Sequence, residues 1–281
     1  MSWQGQLTLR YQRDGERTIA HDRHHGPLRV LQRLYPEGPG ICHHVLVHPP
    51  GGIVGGDTLH IDAELAPDSH ALITTPGATR FYKSTGERAE QHALVKLAAN
   101  SRLEWLPLET LAYRGCAAHN RMRFELAPGA EMIGWDVLAL GLPAANEHFD
   151  DPQWVHGHYT QEIELPGVWL ERGTVQANDR RLLDSPLGWA GRRVMGTLWL
   201  SSGQAMGGAD REQLKELARQ CVQSSTLRAT AGVTSPDDRV VVLRVLADRV
   251  EPAIQLLTEV WQQWRQQRWQ LAPHTPRIWR M

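Results

Sequence analysis

Short runs that alternate between apolar and polar residues fill the chain from residue 3 to about residue 202. These runs are rich in Val, Leu, Ile, Thr and Trp, and Pro, Gly and Asn interrupt them at short intervals. A period of two residues and β-branched side chains between turn residues are typical of successive β-strands. The sequence therefore predicts that this part of the chain is almost all β.

Three similar segments mark turns between pairs of predicted strands. They read LAPDSHAL, LAANSRLE and LAPGAEMI and begin at Leu65, Leu97 and Leu126, while Leu165 begins a shorter copy, LPGVWL. Such a repeat stacks one coil on the next in a β-helix, but the same strand-turn-strand pattern also describes ordinary β-hairpins. We therefore expect a mainly β protein built of stacked hairpins or of β-helix-like layered sheets.

The pattern changes to helical spacing after about residue 205. Apolar residues recur on one helical face over 210–223 and again over 249–267. Between them, two β-type runs at 226–234 and 239–246 flank a turn. The sequence thus predicts two C-terminal α-helices separated by a hairpin.

No long polar linker separates the two parts of the chain. We therefore expect a single domain over 1–281, with an all-β part over about 1–205 and a helix-hairpin-helix part over about 206–281 packed on it. A length of 281 residues with 41% hydrophobic residues is sufficient for a large core.

Charge and cysteine content exclude several classes of protein. The 30 Lys and Arg residues and the 31 Asp and Glu residues give a net charge of −1, so no global basic field points to nucleic acid. The three cysteines are widely separated, which indicates neither a disulfide framework nor a thiolate zinc site. Because no apolar run approaches the ~20 residues of a membrane span, we expect a cytoplasmic protein that does not enter a membrane.

A glycine-rich segment, VHPPGGIVGGDTL, occupies residues 47–59. A phosphate-binding loop has a Lys before a helix, whereas here Asp57 takes the place of the cation and a strand-like run follows. Glycines also allow positive φ angles or a close approach between backbone segments. The segment is therefore interpreted as a structural loop, with Asp57 facing a cavity or a partner.

Several of the 14 histidines raise the question of a metal site. Cys42 and His43 are the softest adjacent pair of ligands, and imidazole with thiolate suits nickel or zinc. Neighbours on a strand face opposite sides, so His43 and His44 would not share an ion, whereas His156 and His158 could. The alternative is that these are ordinary surface or core histidines.

Three carboxylates lie within apolar runs, namely Glu104, Glu109 and Asp136. A buried acid is unfavourable unless it is paired or coordinates a cation, but strand alternation could also turn each one to solvent. Spaced oxygen ligands along an interior passage could pass on a divalent cation without holding it tightly. The other acids of such a passage would be Asp57, Asp62 and Glu64.

Four segments occur in an order that resembles the urease accessory protein D family, also called H. They read QRLYPE at 32–37, HPPGGIVGGD at 48–57, TTPGATRFYKS at 74–84 and EWLPLET at 104–110. The resemblance is strongest over 28–141 and extends over nearly the whole chain.

This resemblance implies a function as well as a fold. Members of the family are almost all β with two helices and act as non-catalytic scaffolds. They bind apo-urease and, with accessory proteins F and G, form a complex in which protein G hydrolyses GTP and nickel is delivered to urease. The chain would then have no cofactor of its own, would carry nickel transiently, and could form a homodimer within the accessory complex.

The resemblance also implies roles for individual residues. Asp57, Glu109, Asp136 and Glu147 match acids of the family and are expected to line a nickel passage. The motif residues expected to face a partner are Gly51, Gly52, Gly55, Gly56, Arg80, Tyr82, Lys83 and Ser84.

The alternative function is a metal-dependent hydrolase of β architecture, with a water activated at a site of histidine and carboxylate ligands. The HExxH, GxSxG and SxxK motifs are missing from the sequence. Three or four convergent ligands at a recognisable spacing would favour the hydrolase, and the sequence does not supply them.

Overall fold

Residues 2–142 and 145–280 are described by the computed structural model. The strands are β1 (Gln4–Asp14), β2 (Arg17–His25), β3 (Arg29–Leu34), β4 (Ile41–Val47), β5 (Thr58–Leu65), β6 (His70–Thr74), β7 (Thr79–Phe81), β8 (Ala89–Leu97), β9 (Arg102–Leu106), β10 (Thr110–Ala112), β11 (Ala117–Leu126), β12 (Glu131–Leu142), β13 (Glu147–His148), β14 (His158–Leu165), β15 (Trp169–Gln176), β16 (Val194–Ser202), β17 (Ala231–Asp237) and β18 (Val240–Ala247). The α-helices are α1 (Arg180–Asp184), α2 (Gly208–Ser224) and α3 (Val250–Trp269).

These strands form a seven-stranded and an eleven-stranded sheet. The seven-stranded sheet has the order β15-β14-β11-β8-β5-β1-β2. The main path of the eleven-stranded sheet is β17-β18-β16-β12-β9-β6-β4-β3, and the short strands β7, β10 and β13 attach beside β12. The chain crosses repeatedly from one sheet to the other.

The repeated segments of the sequence are the corners of stacked coils. At the corners that begin at Leu65, Leu97 and Leu126, a strand of the seven-stranded sheet turns into a strand of the eleven-stranded sheet, as β5 does into β6 and β8 into β9. Strands on the two sides of these three corners do not pair with each other; instead each pairs in parallel with its equivalent in the next coil. The three corners therefore have the β-helix-like arrangement, whereas the shorter copy at Leu165 is the turn of a hairpin in which β14 and β15 pair antiparallel.

Backbone geometry explains which residues recur at these corners. Asp68, Asn100 and Gly129 each stand three residues after the leucine that begins their repeat, and all three have a positive φ, at 59°, 59° and 81°. Asp, Asn and Gly adopt this left-handed region more easily than other residues. The repeat in the sequence is thus a repeat of one turn conformation.

The eleven-stranded sheet lies between two hydrophobic cores. One core fills the space between the sheets and includes Leu59, Phe124 and Trp199. The other lies between the eleven-stranded sheet and the helices α2 and α3, and includes Trp135 and Trp264. Because both faces of this sheet are covered, its central strand β12 is an almost continuous buried run.

The prediction of a mainly β fold with β-helix-like layers and C-terminal helices is confirmed. Helices α2 and α3 and the hairpin β17–β18 begin and end within about five residues of the expected bounds. Helix α1 was not predicted, because its five residues are too few to show a helical period; the Asp179 side chain caps it by accepting a hydrogen bond from Leu182 N. In the described parts of the chain, none of the helices has the length and apolar character needed to cross a membrane.

A buried charge cluster, which we call the clamp, fixes α3 to the eleven-stranded sheet. The fully buried Arg265 of α3 pairs through Nε with Glu104 Oε2 of β9 at 3.0 Å and through Nη2 with Glu37 Oε2 at 2.5 Å. Glu104 also accepts a hydrogen bond from Trp261 Nε1 at 2.7 Å and lies 2.9 Å from His70 Nε2. Burial alone would raise the pKa of Glu104, but His70 and Arg265 offset it and the pKa falls below its usual value.

Removal of the clamp's cation tests its contribution to stability. Arg265→Met leaves the buried Glu104 and the partly buried Glu37 without their shared counter-charge, and we expect the free energy of unfolding to fall by about 3–5 kcal/mol. Urea denaturation at neutral pH measures this. The matched control is Arg268→Met one turn later on α3, where the ion pairs to Glu131 and Asp210 are partly exposed and the expected loss is about 1 kcal/mol or less. Equal losses in the two variants would contradict a dominant role for the clamp.

A cavity between the sheets as the candidate functional site

The glycine-rich loop and the Arg80–Ser84 segment pack against each other. Ile53 N donates to Arg80 O at 2.7 Å, and Tyr82 N donates to Ile53 O at 2.9 Å. These bonds accompany a parallel β-bridge between Ile53 and Phe81. Two of the motifs that the sequence singled out therefore form one structural unit.

Two of the loop glycines are required by the closeness of this packing. A Cβ atom at Gly52 would overlap the ring of Tyr82, and one at Gly55 would overlap the side chain of Ser84. Here the structure agrees with the interpretation of the glycines as points of close approach.

The side chain of Asp57 holds the glycine-rich loop through hydrogen bonds to the backbone. Its buried carboxylate accepts hydrogen bonds from Trp3 N at 2.7 Å and from Val54 N at 3.1 Å. Both carboxylate oxygens are thus used to hold the loop and the start of β1. Asp57 is not among the residues that line the cavity described next.

Beneath the loop lies a cavity of about 320 Å³ between the two sheets. Its walls are the glycine-rich loop, the segment between β6 and β7, and the inward faces of strands from both sheets. Most of the lining is apolar. The polar side chains that line it are His48, Thr74, Thr75, Thr79, Arg80, Gln91, Thr110, Asn120 and Asp136.

Asp136 is the acidic residue of this lining. It lies on β12 and is only 5% exposed. No hydrogen bond from the described residues reaches its carboxylate. Burial, with a smaller contribution from the charge of Glu171, raises the pKa of Asp136 to about 7.

A ladder of amide side chains runs across the opposite wall. Gln91, Asn120 and Gln161 are in register on the neighbouring strands β8, β11 and β14. Gln91 Nε2 donates to Asn120 Oδ1 at 3.3 Å, and Asn120 Nδ2 donates to Gln161 Oε1 at 3.4 Å. The three inward-facing amides therefore occupy the same position along their strands in successive coils.

No local feature of the sequence marks this ladder. Each amide lies between small or apolar residues at i−2 and i+2, as Asn120 does between Ala118 and Met122. Aligning the coils by their turn residues would have placed Gln91 and Asn120 at equivalent inward positions. His48, whose Nε2 is buried without a partner in the described parts of the chain, was also missed.

The other candidate acids are not gathered around the cavity. Glu104 faces α3 and belongs to the clamp. Asp62 and Glu64 lie on the solvent-facing side of β5, where Glu64 pairs with Arg10 at 3.0 Å. Glu109 and Glu147 are half-buried and are not part of the lining. Of the seven acids proposed from the sequence, Asp136 lines the cavity.

The candidate metal ligands are also separated. Cys42 faces the core between the sheets, where burial raises the pKa of its thiol to about 11, whereas His43 faces the helix side and lies 2.8 Å from Glu37. His156 is exposed in the turn before β14 and His158 begins that strand. Within residues 2–142 and 145–280, no three His, Cys, Asp or Glu side chains are arranged to hold a metal ion.

Comparison with known proteins identifies the family. The family model described as UreD urease accessory protein matches residues 4–280. A urease accessory protein UreD of Leptothrix cholodnii is 62% identical over 282 residues, which cover 100% of both chains. The UreD protein of Variovorax paradoxus is 57% identical over 279 residues, 99% of each chain. The chain belongs to the UreD family of urease accessory proteins.

The UreD match extends beyond the four motifs that suggested it. The motifs end at residue 110, whereas the family model continues through the C-terminal helices to residue 280. The cavity and the clamp therefore both lie within the part of the chain that matches the UreD family.

The packing of the glycine-rich loop can be tested with one methyl group. Gly52→Ala should overlap the Tyr82 ring and lower the free energy of unfolding by about 1–3 kcal/mol, which thermal unfolding would show as a fall in Tm of several degrees. Gly77→Ala is the control, because a Cβ there meets no atom within 4 Å although Gly77 also lines the cavity. If Gly77→Ala lowers Tm as much, the contact with Tyr82 is not the cause.

The raised pKa of Asp136 predicts a pH-dependent stability. An unfolded Asp has a pKa of about 3.9, so between about pH 4 and pH 7 the folded chain binds the additional proton. The free energy of unfolding therefore contains a contribution that is full below pH 4 and is lost as the pH rises to about 7. We expect Asp136→Asn to gain stability relative to the unmodified chain over this window, by up to about 4 kcal/mol.

Urea denaturation of the two proteins at several pH values between 4 and 8 measures this difference. Asp62→Asn, on the solvent-facing side of β5, is the control for the loss of a carboxylate outside the core. A difference for Asp136→Asn that stays constant from pH 4 to pH 8 would contradict the raised pKa.

Proposed function

We propose that this chain is a non-catalytic nickel-insertion chaperone required for the maturation of urease. It binds apo-urease and, together with accessory proteins F and G, enables GTP-dependent delivery of nickel to the urease metallocentre in the cytoplasm. The full-length match to the UreD family carries the proposal. Nickel is the cargo here and not a resident cofactor.

The cavity is the part of the structure that suits a transient passage of nickel. Asp136 offers one carboxylate without a hydrogen-bond partner among the described residues, and Gln91 and Asn120 of the amide ladder line the opposite wall of the cavity. With a pKa of about 7, the carboxylate is about half ionised at neutral pH and gains charge when a cation approaches. A single acid among neutral oxygens holds a divalent ion weakly, which favours transfer over storage.

The face formed by the glycine-rich loop and the Arg80–Ser84 segment is proposed to contact a protein partner. Val54 on this loop is 41% exposed, and Trp3, whose backbone is bound to Asp57, is 53% exposed. Lys83 lies 5.4 Å from the ring of Trp154. Trp, Tyr and Arg side chains are enriched at protein interfaces, and the exposure of Trp3 and Val54 favours self-association of the isolated chain.

The hydrolase alternative requires a resident metal and turnover by the chain alone. Its metal would need three or four converging ligands, and no observation on the described residues favours it. The accessory-protein name of the family also points to a non-catalytic role.

The proposal is tested by urease purified from cells that express the urease subunits and all accessory proteins. Without this chain, we expect urease that is assembled, poor in nickel and inactive. With Asp136→Ala, we expect lower nickel content while the accessory complex still forms, because the substitution removes an oxygen ligand and not a surface. Nickel per urease active site, measured by atomic absorption, is the readout, and co-purification of the accessory proteins reports complex formation.

The control is Asp62→Ala, which removes a carboxylate from the outer face and should leave the nickel content unchanged. Asp57→Ala and Glu109→Ala extend the test to the other acids implied by the resemblance. Full nickel loading in all three variants at Asp57, Glu109 and Asp136 excludes the passage. Full loading without the chain excludes the chaperone function itself.

A further inference from the structure

After α3, the end of the chain runs back along that helix. The residue that caps the C-terminus of α3 has a left-handed φ of 57°, which turns the chain around. Arg265 Nη1 then donates to Ala272 O, and Gln262 Nε2 donates to Thr275 Oγ1 at 3.1 Å. Because later residues of this segment contact earlier residues of α3, the two run antiparallel. We call residues 271–279 the strap.

The strap ends in a cluster of three tryptophans. The half-buried ring of Trp279 has its centroid 5.2 Å from that of Trp135 on β12 and 5.8 Å from that of Trp261 on α3. Its Nε1 donates a hydrogen bond to Thr74 Oγ1, at the end of β6, at 2.8 Å. Trp279 therefore connects the helix layer to the eleven-stranded sheet.

The groups that accept hydrogen bonds from Trp279 and Trp135 belong to residues that line the cavity. Thr74 ends β6 and Pro107 follows β9, and both are part of the lining. Trp135 Nε1 donates to Pro107 O at 2.6 Å, and Thr74 Oγ1 donates to Leu106 O at 2.6 Å. The two tryptophans therefore lie against the helix-facing side of the cavity wall.

Two stretches of chain that follow β6 and β9 meet in this part of the wall. We call them the wall segments: residues 75–79 and 107–109. Thr79 N donates to Glu109 O at 2.9 Å, and Leu108 N donates to Thr75 Oγ1 at 2.9 Å. Both amides are thus protected from solvent exchange only while the wall segments stay together.

The strap itself is attached through side chains rather than through its backbone. In the described parts of the chain, no backbone-to-backbone hydrogen bond joins it to another element. Pro276 is buried, whereas the other residues of the strap are partly or fully exposed. His274 Nε2 is buried without a hydrogen-bond partner among the described residues, which makes docking less favourable. Such an element opens locally at a lower free energy than the core.

We propose that the strap is a latch on the cavity. While the strap is docked, Trp279 holds the wall segments against the helix layer; when it detaches, the wall segments separate and the cavity opens toward the helices. Opening leaves no buried donor without a partner, because Thr74 Oγ1 still donates to Leu106 O and Trp279 Nε1 enters water. The latch goes beyond the function proposed above, because it is a property of the isolated chain and requires neither nickel nor urease.

Hydrogen exchange of the full-length chain, carried on a solubility-enhancing fusion, tests the latch. Trp279→Ala removes the ring and its hydrogen bond to Thr74, so we expect the amides of Thr79 and Leu108 to exchange about tenfold faster or more. Mass spectrometry of peptides from the wall segments measures this, and peptides from β8 should exchange as in the unmodified chain. Trp279→Phe keeps an aromatic ring without the hydrogen bond and should give a smaller increase.

The matched control is Trp169→Ala on β15. Trp169 is also half-buried, but its ring packs 6.0 Å from that of Trp199 in the core between the sheets, whereas the strap packs against the other core. It should leave exchange in the wall segments unchanged. The latch is overturned if Trp279→Ala does not change their exchange, or if Trp169→Ala accelerates it equally. An equal acceleration in β8 of Trp279→Ala would mean global destabilisation and would also overturn it.

Opening of the cavity is measured separately with a cysteine in its lining. Thr110→Cys is a nearly isosteric change at a position that is 5% exposed. Iodoacetamide should alkylate this cysteine about tenfold faster when Trp279→Ala is added, because detachment of the strap exposes the lining. Peptide mass spectrometry assigns the label to this site. Equal rates with and without Trp279→Ala would show that the strap does not control access, and would overturn the proposal.

Discussion

The eleven-stranded sheet is covered on both faces, and this burial constrains every polar side chain that it carries. A charged side chain in such a layer must be paired with an opposite charge, or its pKa shifts until the neutral form is favoured. Glu104 meets the constraint by pairing, with Arg265, Trp261 and His70 around it. Asp136, on the neighbouring strand, meets it by a raised pKa and an open space in front of it. The same layer thus contains one acid that is ion-paired and one that faces a cavity without a hydrogen-bond partner among the described residues.

This contrast shows how far the sequence could predict the site. Apolar surroundings marked Glu104, Glu109 and Asp136 as acids that are either buried or turned to solvent, and the structure buries Glu104 and Asp136 but leaves Glu109 half-buried. Alternation along one strand says only which neighbours share a face. It does not say whether that face meets the second sheet or the helices. Glu104 is in register with Ile133, three residues before Asp136, so the two acids face opposite sides. Only the register between β9 and β12 contains this information.

The fold was more accessible, because its repeat depends on local conformation. A turn with one left-handed residue requires Asp, Asn or Gly at a fixed place, and that requirement is visible in the sequence. The glycine-rich loop was visible for a related reason, since its glycines are imposed by contacts with Tyr82 and Ser84. The amide ladder was not visible, because no local rule requires Gln91 or Asn120. Its members lie in register on neighbouring strands, and this alignment appears only when the coils are stacked.

The clamp joins parts of the chain that are synthesised at different times. Arg265 pairs with Glu37 and Glu104, and Glu37 leaves the ribosome 228 residues before Arg265 does. Until then, the helix-facing side of the sheet, including Trp135 and Leu243, has no cover. A nascent chain with such a surface is prone to aggregate. Helix α3 therefore covers strands that are made long before it, and a chain truncated before α3 would leave Glu104 without its arginine.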